Sequence, residues 1–287
     1  MEDVNFEISK FASISGCFVL AIAYVGSLYI WKDTLGRDHS TTIKHRFISV
    51  GIVCSIAPIF LWLCSSPAHS DTDKGTSLPQ WLGLKMEGLI PASIIPLFLT
   101  IILFLGPLGL HYMDGMFHVY KDLEYWKHNW TSLIWLRNHV VAPLSEEFIF
   151  RGCMLPLLVP HLGTGKAVFV TPLFFGVAHF HHMMGSIQAG ESVQRALLKS
   201  AFQFTYTTIF GAYSCFLFLR TGHLVAPTIA HSFCNYMGFP AFDEVLHKRN
   251  PAKLILIGLF ILGLGSWTYW LYPLTDPNIY SNSLYDL

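Results

Sequence analysis

Residues 132–158 read SLIWLRNHVVAPLSEEFIFRGCMLPLL. A bilayer core about 30 Å thick needs roughly 20 apolar residues, so this run is long enough to cross one. Near its middle stand two adjacent glutamates, Glu146 and Glu147, and an arginine, Arg151. An ionisable residue at that depth costs about 2.5–3.5 kcal/mol on insertion scales, and such residues either pair or work. Outward from this run lie seven more apolar segments: 13–31, 47–64, 88–111, 166–184, 198–219, 223–241 and 253–272. The expected fold is an all-α polytopic membrane protein with about eight transmembrane helices, forming a single membrane domain over residues 1–287.

Composition agrees. Hydrophobic residues make up 53% of the chain and charged residues 13%, against about 25% charge in a soluble domain. The net charge is +0, from 18 Lys and Arg against 18 Asp and Glu. No basic field exists to attract a nucleic acid. The six cysteines all fall in or beside apolar runs with no CxxC spacing, which argues against a disulfide framework or a structural zinc site. The first ten residues, MEDVNFEISK, are acid-rich. A cleavable signal peptide starts basic, so the first apolar run reads as a retained span. The stretch 65–84 is the one extended polar connector.

Charge also predicts sidedness. The first, third, fifth and seventh loops and their borders hold Lys32, Arg37, Lys44, Arg46, Lys121, Lys127, Arg195, Lys199, Lys248, Arg249 and Lys253. The even loops hold Lys74, Lys85, Lys166 and Arg220. Basic residues favour the cytosolic side, so the odd loops are expected there and both termini on the opposite face.

Polar residues concentrate on three of the middle segments. Glu147 and Arg151 are four apart and share a helix face, which suits an ion pair. Glu146 lies about 100° round the helix and faces something else. FFGVAHFHH places His179, His181 and His182 at the end of another segment. HSFCN places His231 and Asn235 four apart on a third. A proline precedes each set: Pro143, Pro172 and Pro227. Proline removes a backbone hydrogen bond and frees carbonyls about four residues back. In lipid this is tolerated where the freed groups meet protein or water. Three such kinks suggest a common hydrated cavity, although ordinary kinks and a structural salt-bridge network would use the same residues.

Chemically, a carboxylate withdrawn from bulk water suits a general base near neutral pH. A histidine can hold the water it activates, and His231 with Asn235 can donate to an oxyanion. Two rivals use the same side chains. Glu and His could bind zinc, though no HExxH occurs, or relay protons in a transporter. Cys153 and Cys234 lie near the motifs without a histidine at an informative spacing.

EExxxR (Glu146, Glu147, Arg151), FxxxH (Phe175, His179) and HxxxN (His231, Asn235), in this order on separate apolar segments, resemble the type II CaaX prenyl endopeptidases. These are the Ras-converting enzyme family within the CPBP/Abi group of intramembrane proteins. SEEFIFRGCMLPLL, FGVAHFHH and LVAPTIAHSFCNYMGFP resemble the eukaryotic branch, and the resemblance marks a catalytic core of about 130–240. It implies an active site open to the cytosol in the endoplasmic reticulum membrane. It implies removal of the aaX tripeptide from prenylated CaaX proteins such as Ras-type small GTPases. The missing zinc motif and the acyl-transfer logic favour glutamate-activated water with no cofactor and no metal. By motif position Glu146 resembles the base that activates water, His179 its partner in holding that water, and His231 and Asn235 the oxyanion-stabilising pair. Glu147 and Arg151 resemble supporting residues. A prenyl chain partitions into membrane lipid, which suits a site that opens sideways. The wider group also contains non-catalytic and transport-type members.

Overall fold

The computed structural model of the chain describes residues 3–31, 35–68, 76–178, 180–188 and 190–285. It is helical throughout, apart from a two-residue ladder that pairs Val4 and Asn5 with Pro67 and Ser66. Several long helices carry a side-chain cap where they begin. Ser9 accepts from the backbone N–H of Ala12 at the start of Lys10–Ser27, and Ser192 accepts from Arg195 at the start of Val193–Thr221. Such caps satisfy donors that a helix N-terminus otherwise leaves open.

By length and apolarity four helical stretches among the described residues can cross a membrane: Lys10–Ser27, Ser40–Cys64, Leu133–Ile187 and Ala252–Leu274. A fifth is the pair Leu89–Leu103 and Leu105–Met113, bent by 68°. By this measure four to five candidate spans stand where about eight were expected. Segments 132–158 and 166–184 fall within the 55-residue stretch Leu133–Ile187, interrupted at Gly163, whose φ of 70° and ψ of 160° are not helical. The helix Val225–Met237 has 13 residues, about 20 Å at 1.5 Å per residue, too short for a hydrocarbon core of about 30 Å. Val193–Thr221 is long enough but carries Gln194, Arg195, Lys199, Gln203 and Arg220, which dilute its apolar character.

Around the molecule, Phe11, Ile22, Ile52, Ile59, Leu63, Ile261 and Leu262 are exposed. An apolar outer skin is what a lipid solvent requires. Inside, Met154–Ala178 packs against both Val193–Thr221 and Lys10–Ser27. Cys17, Leu20, Leu61, Ile149, Phe150, Met154 and Leu157 form the main buried cluster.

Two ends are distinct. At one, Trp81 donates to the Val4 carbonyl, Tyr285 donates to the Trp81 carbonyl, and Lys85 Nζ donates to the carbonyls of Tyr280 and Ser281. This end gathers both chain ends and the second loop. Gly88 makes it possible, with φ of 78° and a position where a Cβ would stand 2.2 Å from the Tyr280 carbonyl oxygen. At the other end, Arg137 reaches Arg37 and Asp38 of the first loop, and Lys248 pairs with Asp114 at 2.6 Å. These contacts join the first loop to Arg137 and the third loop to the seventh.

Candidate active site

The polar centre begins with a local peculiarity of the chain. Between Leu133 and Ala178 the helix opens twice into wider π turns, Arg137–Val141 and Phe148–Cys153, on either side of Ala142–Glu147. Pro143 has no N–H to give, so the carbonyls of Asn138 and His139 on the preceding turn look elsewhere. Asn235 Nδ2 donates to the Asn138 oxygen at 2.9 Å, and Ser232 Oγ donates to the His139 oxygen at 2.5 Å. The proline thus ties this helix to Val225–Met237, and both freed carbonyls are met by protein. On the opposite side, Ser145 donates to the Val141 carbonyl and shares a 2.8 Å hydrogen bond with the Tyr24 hydroxyl.

Glu147 and Arg151 form the expected ion pair, at 3.2 Å, with both side chains fully buried. The guanidinium also lies over the Phe175 ring, 4.6 Å from its centroid. Room for it comes from Gly211, where a Cβ would stand 3.0 Å from Arg151 Nη2. Glu147 has a second partner that spacing did not reveal. Its Oε1, already bonded to Arg151, also receives His231 Nδ1 at 2.7 Å. An ionised carboxylate only accepts, so Nδ1 carries the hydrogen and Nε2 is left facing away from Glu147. Nε2 looks onto Glu146 Oε2 across 3.8 Å. The rings of Phe210 and Phe175 wall the imidazole, at 4.9 and 6.2 Å between centroids.

Glu146 is different from its neighbour. Its side chain is 20% exposed and lines a partly open cavity of about 120 Å³. Phe175 and Ala178, just before His179, line the same cavity, as do Asn138 and the apolar side chains of Val25, Leu28, Phe47 and Val50. Glu146, Glu147, Arg151 and His231 are therefore brought together, and Asn235 joins them through Asn138. His179 lies outside the described residues. Among the described residues no three His, Cys, Asp or Glu side chains stand close enough to hold a metal ion.

Three arginines, Arg37, Arg46 and Arg137, also line the cavity. Sequence reading used the first two only as topology signals and did not single out Arg137. Arg137 Nη1 bonds the Arg37 carbonyl at 3.1 Å and Asp38 Oδ1 at 2.8 Å, while its Nε bonds Asn138 Oδ1 at 2.9 Å. The hydrogen bond from Arg137 holds the Asp38 carboxyl below the usual carboxylate range.

Comparison with known proteins bears directly on this arrangement. The profile of the family described as Type II CAAX prenyl endopeptidase Rce1-like matches residues 128–237, which include EExxxR, FxxxH and HxxxN. The chain is 47% identical over 277 residues to CAAX prenyl protease 2 of Homo sapiens, covering 94% of this chain and 83% of the human one. It belongs to the CAAX prenyl protease 2 family. The relative from Arabidopsis thaliana is 32% identical over 310 residues, covering 97% of this chain and 94% of its own. That from Saccharomyces cerevisiae is 30% identical over 264 residues, covering 80% and 81%. No solved structure matches the chain significantly. As a CAAX prenyl protease 2 family member the chain is a protease, and its apolar helices mark it as a membrane protein.

Proposed function

We propose that this protein is an intramembrane endopeptidase that removes the aaX tripeptide from prenylated CaaX proteins, Ras-type small GTPases among them, with water activated by Glu146. The observation that carries this reading is the pairing of a cavity-lining Glu146 with an imidazole whose other nitrogen is tied to a buried carboxylate. A gap of 3.8 Å exceeds hydrogen-bond length, and a contact of that size asks for a bridging water. A water touching both groups gives its proton to Glu146 and attacks the scissile carbonyl. By its motif position His179 is assigned as the second group that holds that water. Glu147 fixes the ring of His231, and Arg151 fixes Glu147. Glu146 passes the proton taken from water on to His231 Nε2, which faces it, and the imidazolium and the Asn235 amide then donate to the oxyanion; Asn235 uses one of its two amide hydrogens on Asn138. Within a low-dielectric site such donors act strongly. The prenyl chain lies along the apolar wall of Val25, Leu28, Phe47 and Val50.

The whole chain acts as a single membrane domain in the endoplasmic reticulum membrane, with the cavity open to the cytosol, where CaaX tails are. The deciding experiment incubates purified protein in vesicles with a farnesylated CaaX peptide and follows tripeptide release by mass spectrometry. Release of aaX supports the reading, and an intact peptide overturns it.

The thiols serve packing in this scheme. All six cysteines are free, and Cys153 is buried in the apolar cluster beside Cys17. A chain with every cysteine replaced by serine or alanine is expected to keep most of its peptide-release activity. Complete loss on a single Cys→Ser change would instead assign the nucleophile to that sulfur.

The same cysteine-free chain tests orientation. In microsomes Thr41→Cys is expected to react with an impermeant maleimide added from the cytosolic side, and Ser77→Cys only after the membrane is opened. Protection of the Thr41→Cys thiol from the cytosolic reagent would reverse the assignment.

A further inference from the structure

The three arginines that line the cavity beside Glu146 have no part in the water chemistry. Their placement is not accidental to the chain's course. Arg37 and Arg46 come from the first loop and the start of Ser40–Cys64, and Arg137 from a different helix some hundred residues later. Arg137 draws the first loop in by bonding the Arg37 carbonyl and Asp38. Those bonds, with the one to Asn138, occupy its Nε and Nη1. Asp38 therefore answers Arg137, while Arg46 keeps a buried Nε with no hydrogen-bond partner. Guanidinium groups that share one cavity with an apolar wall of Val25, Leu28, Phe47 and Val50 call for an anion with two oxygens.

Resting on the protease reading above, we propose that Arg37 and Arg46, positioned by Arg137, bind the free C-terminal carboxylate of the substrate and so set where the chain is cut. Three residues follow the scissile bond in such a substrate. Fully extended they span about 10 Å. Arg137 precedes Glu146 by nine residues on a helical path, at most about 13 Å of rise. A path of that length accommodates the tripeptide, with its carboxylate toward the arginines and the scissile carbonyl, which belongs to the prenylated cysteine, at Glu146. The cavity acts as a ruler: a carboxylate anchored on the arginines puts the third peptide bond from the terminus over the base. A chain that continues past this point has no charge to give the arginines and leaves them desolvated and unpaired. The enzyme then cuts near free chain ends and spares internal bonds, although its chemistry is that of an endopeptidase.

The test compares two farnesylated CaaX peptides that differ only at the end, one a free acid and one a C-terminal amide, in neutral phosphatidylcholine vesicles. Wild-type protein is expected to favour the acid by about 30-fold in kcat/KM, the size expected for loss of charge-assisted hydrogen bonds. In Arg46→Gln and in Arg37→Gln that preference is expected to shrink to roughly threefold or less, because the acid loses its anchor and the amide had none. Arg46→Lys restores part of the preference. A wild-type preference near one overturns the proposal while leaving the protease reading intact, since the acid is still cut. A large preference that survives both glutamine variants overturns it as well. Failure of the wild type to cut either peptide overturns the protease reading and this one together. If the preference is near one in neutral vesicles and the variants are impaired only when anionic lipid is added, the arginines serve a lipid phosphate and the proposal falls.

Discussion

Glu146→Gln is expected to lower kcat for tripeptide release by at least about 1,000-fold, with KM changed little. General-base catalysis contributes roughly 100- to 10,000-fold, and in the proposed mechanism the base also holds the attacking water. Gln keeps the size and a hydrogen-bond acceptor but cannot take the proton. Because the side chain lines a cavity, partly exposed, and meets His231 only across 3.8 Å, the fold has little to lose. Thermal unfolding in detergent is expected to match the wild type within a few degrees. A Glu146→Gln enzyme retaining a tenth or more of wild-type kcat would remove Glu146 from the role of base. Glu146→Ala is expected to behave the same way.

The adjacent glutamate is expected to fail for the opposite reason. Glu147→Ala strips one acceptor from two buried donors, Arg151 Nη1 and His231 Nδ1. Removing one partner of a buried pair costs about 3–5 kcal/mol, because the other charge is left uncompensated. That approaches the whole stability of many folded domains, about 5–15 kcal/mol. Low yield and a sharply lowered unfolding temperature are expected. Replacing both partners separates stability from function. Glu147→Leu with Arg151→Met substitutes apolar groups of similar volume for the pair, a change that is often neutral or stabilising. The double variant should recover most of the thermal stability and still release tripeptide at least about 100-fold more slowly, since His231 has lost the group that orients its ring. Wild-type activity in a stable double variant would show that Glu147 serves the fold alone.

Much of this site was legible one helix at a time. A spacing of four put Glu147 beside Arg151, and the offset of one residue sent Glu146 toward other company. The uneven distribution of Lys and Arg separated two sets of loops, and the structure joins Arg137 to Arg37 and Lys248 to Asp114 on one of them. The span count was not legible in the same way. An apolar stretch measures composition, whereas Val225–Met237 ends after 13 residues and the stretch 88–113 bends by 68°. Nothing in a hydropathy run fixes where a helix stops or turns.

The sequence by itself determined an all-α membrane protein, a family marked by three ordered motifs, and the local ion pair, because each depends on composition or on neighbours within one turn. Only the tertiary structure decided that Glu147 serves His231 as well as Arg151, that the carbonyls freed by Pro143 are met by Asn235 and Ser232, and that three arginines from distant segments share one cavity with Glu146. Those contacts join residues roughly a hundred positions apart or cross a π turn, where the wider winding rotates side chains off the α-helical faces that spacing assumes. They follow from how helices pack, and no spacing along the chain encodes that.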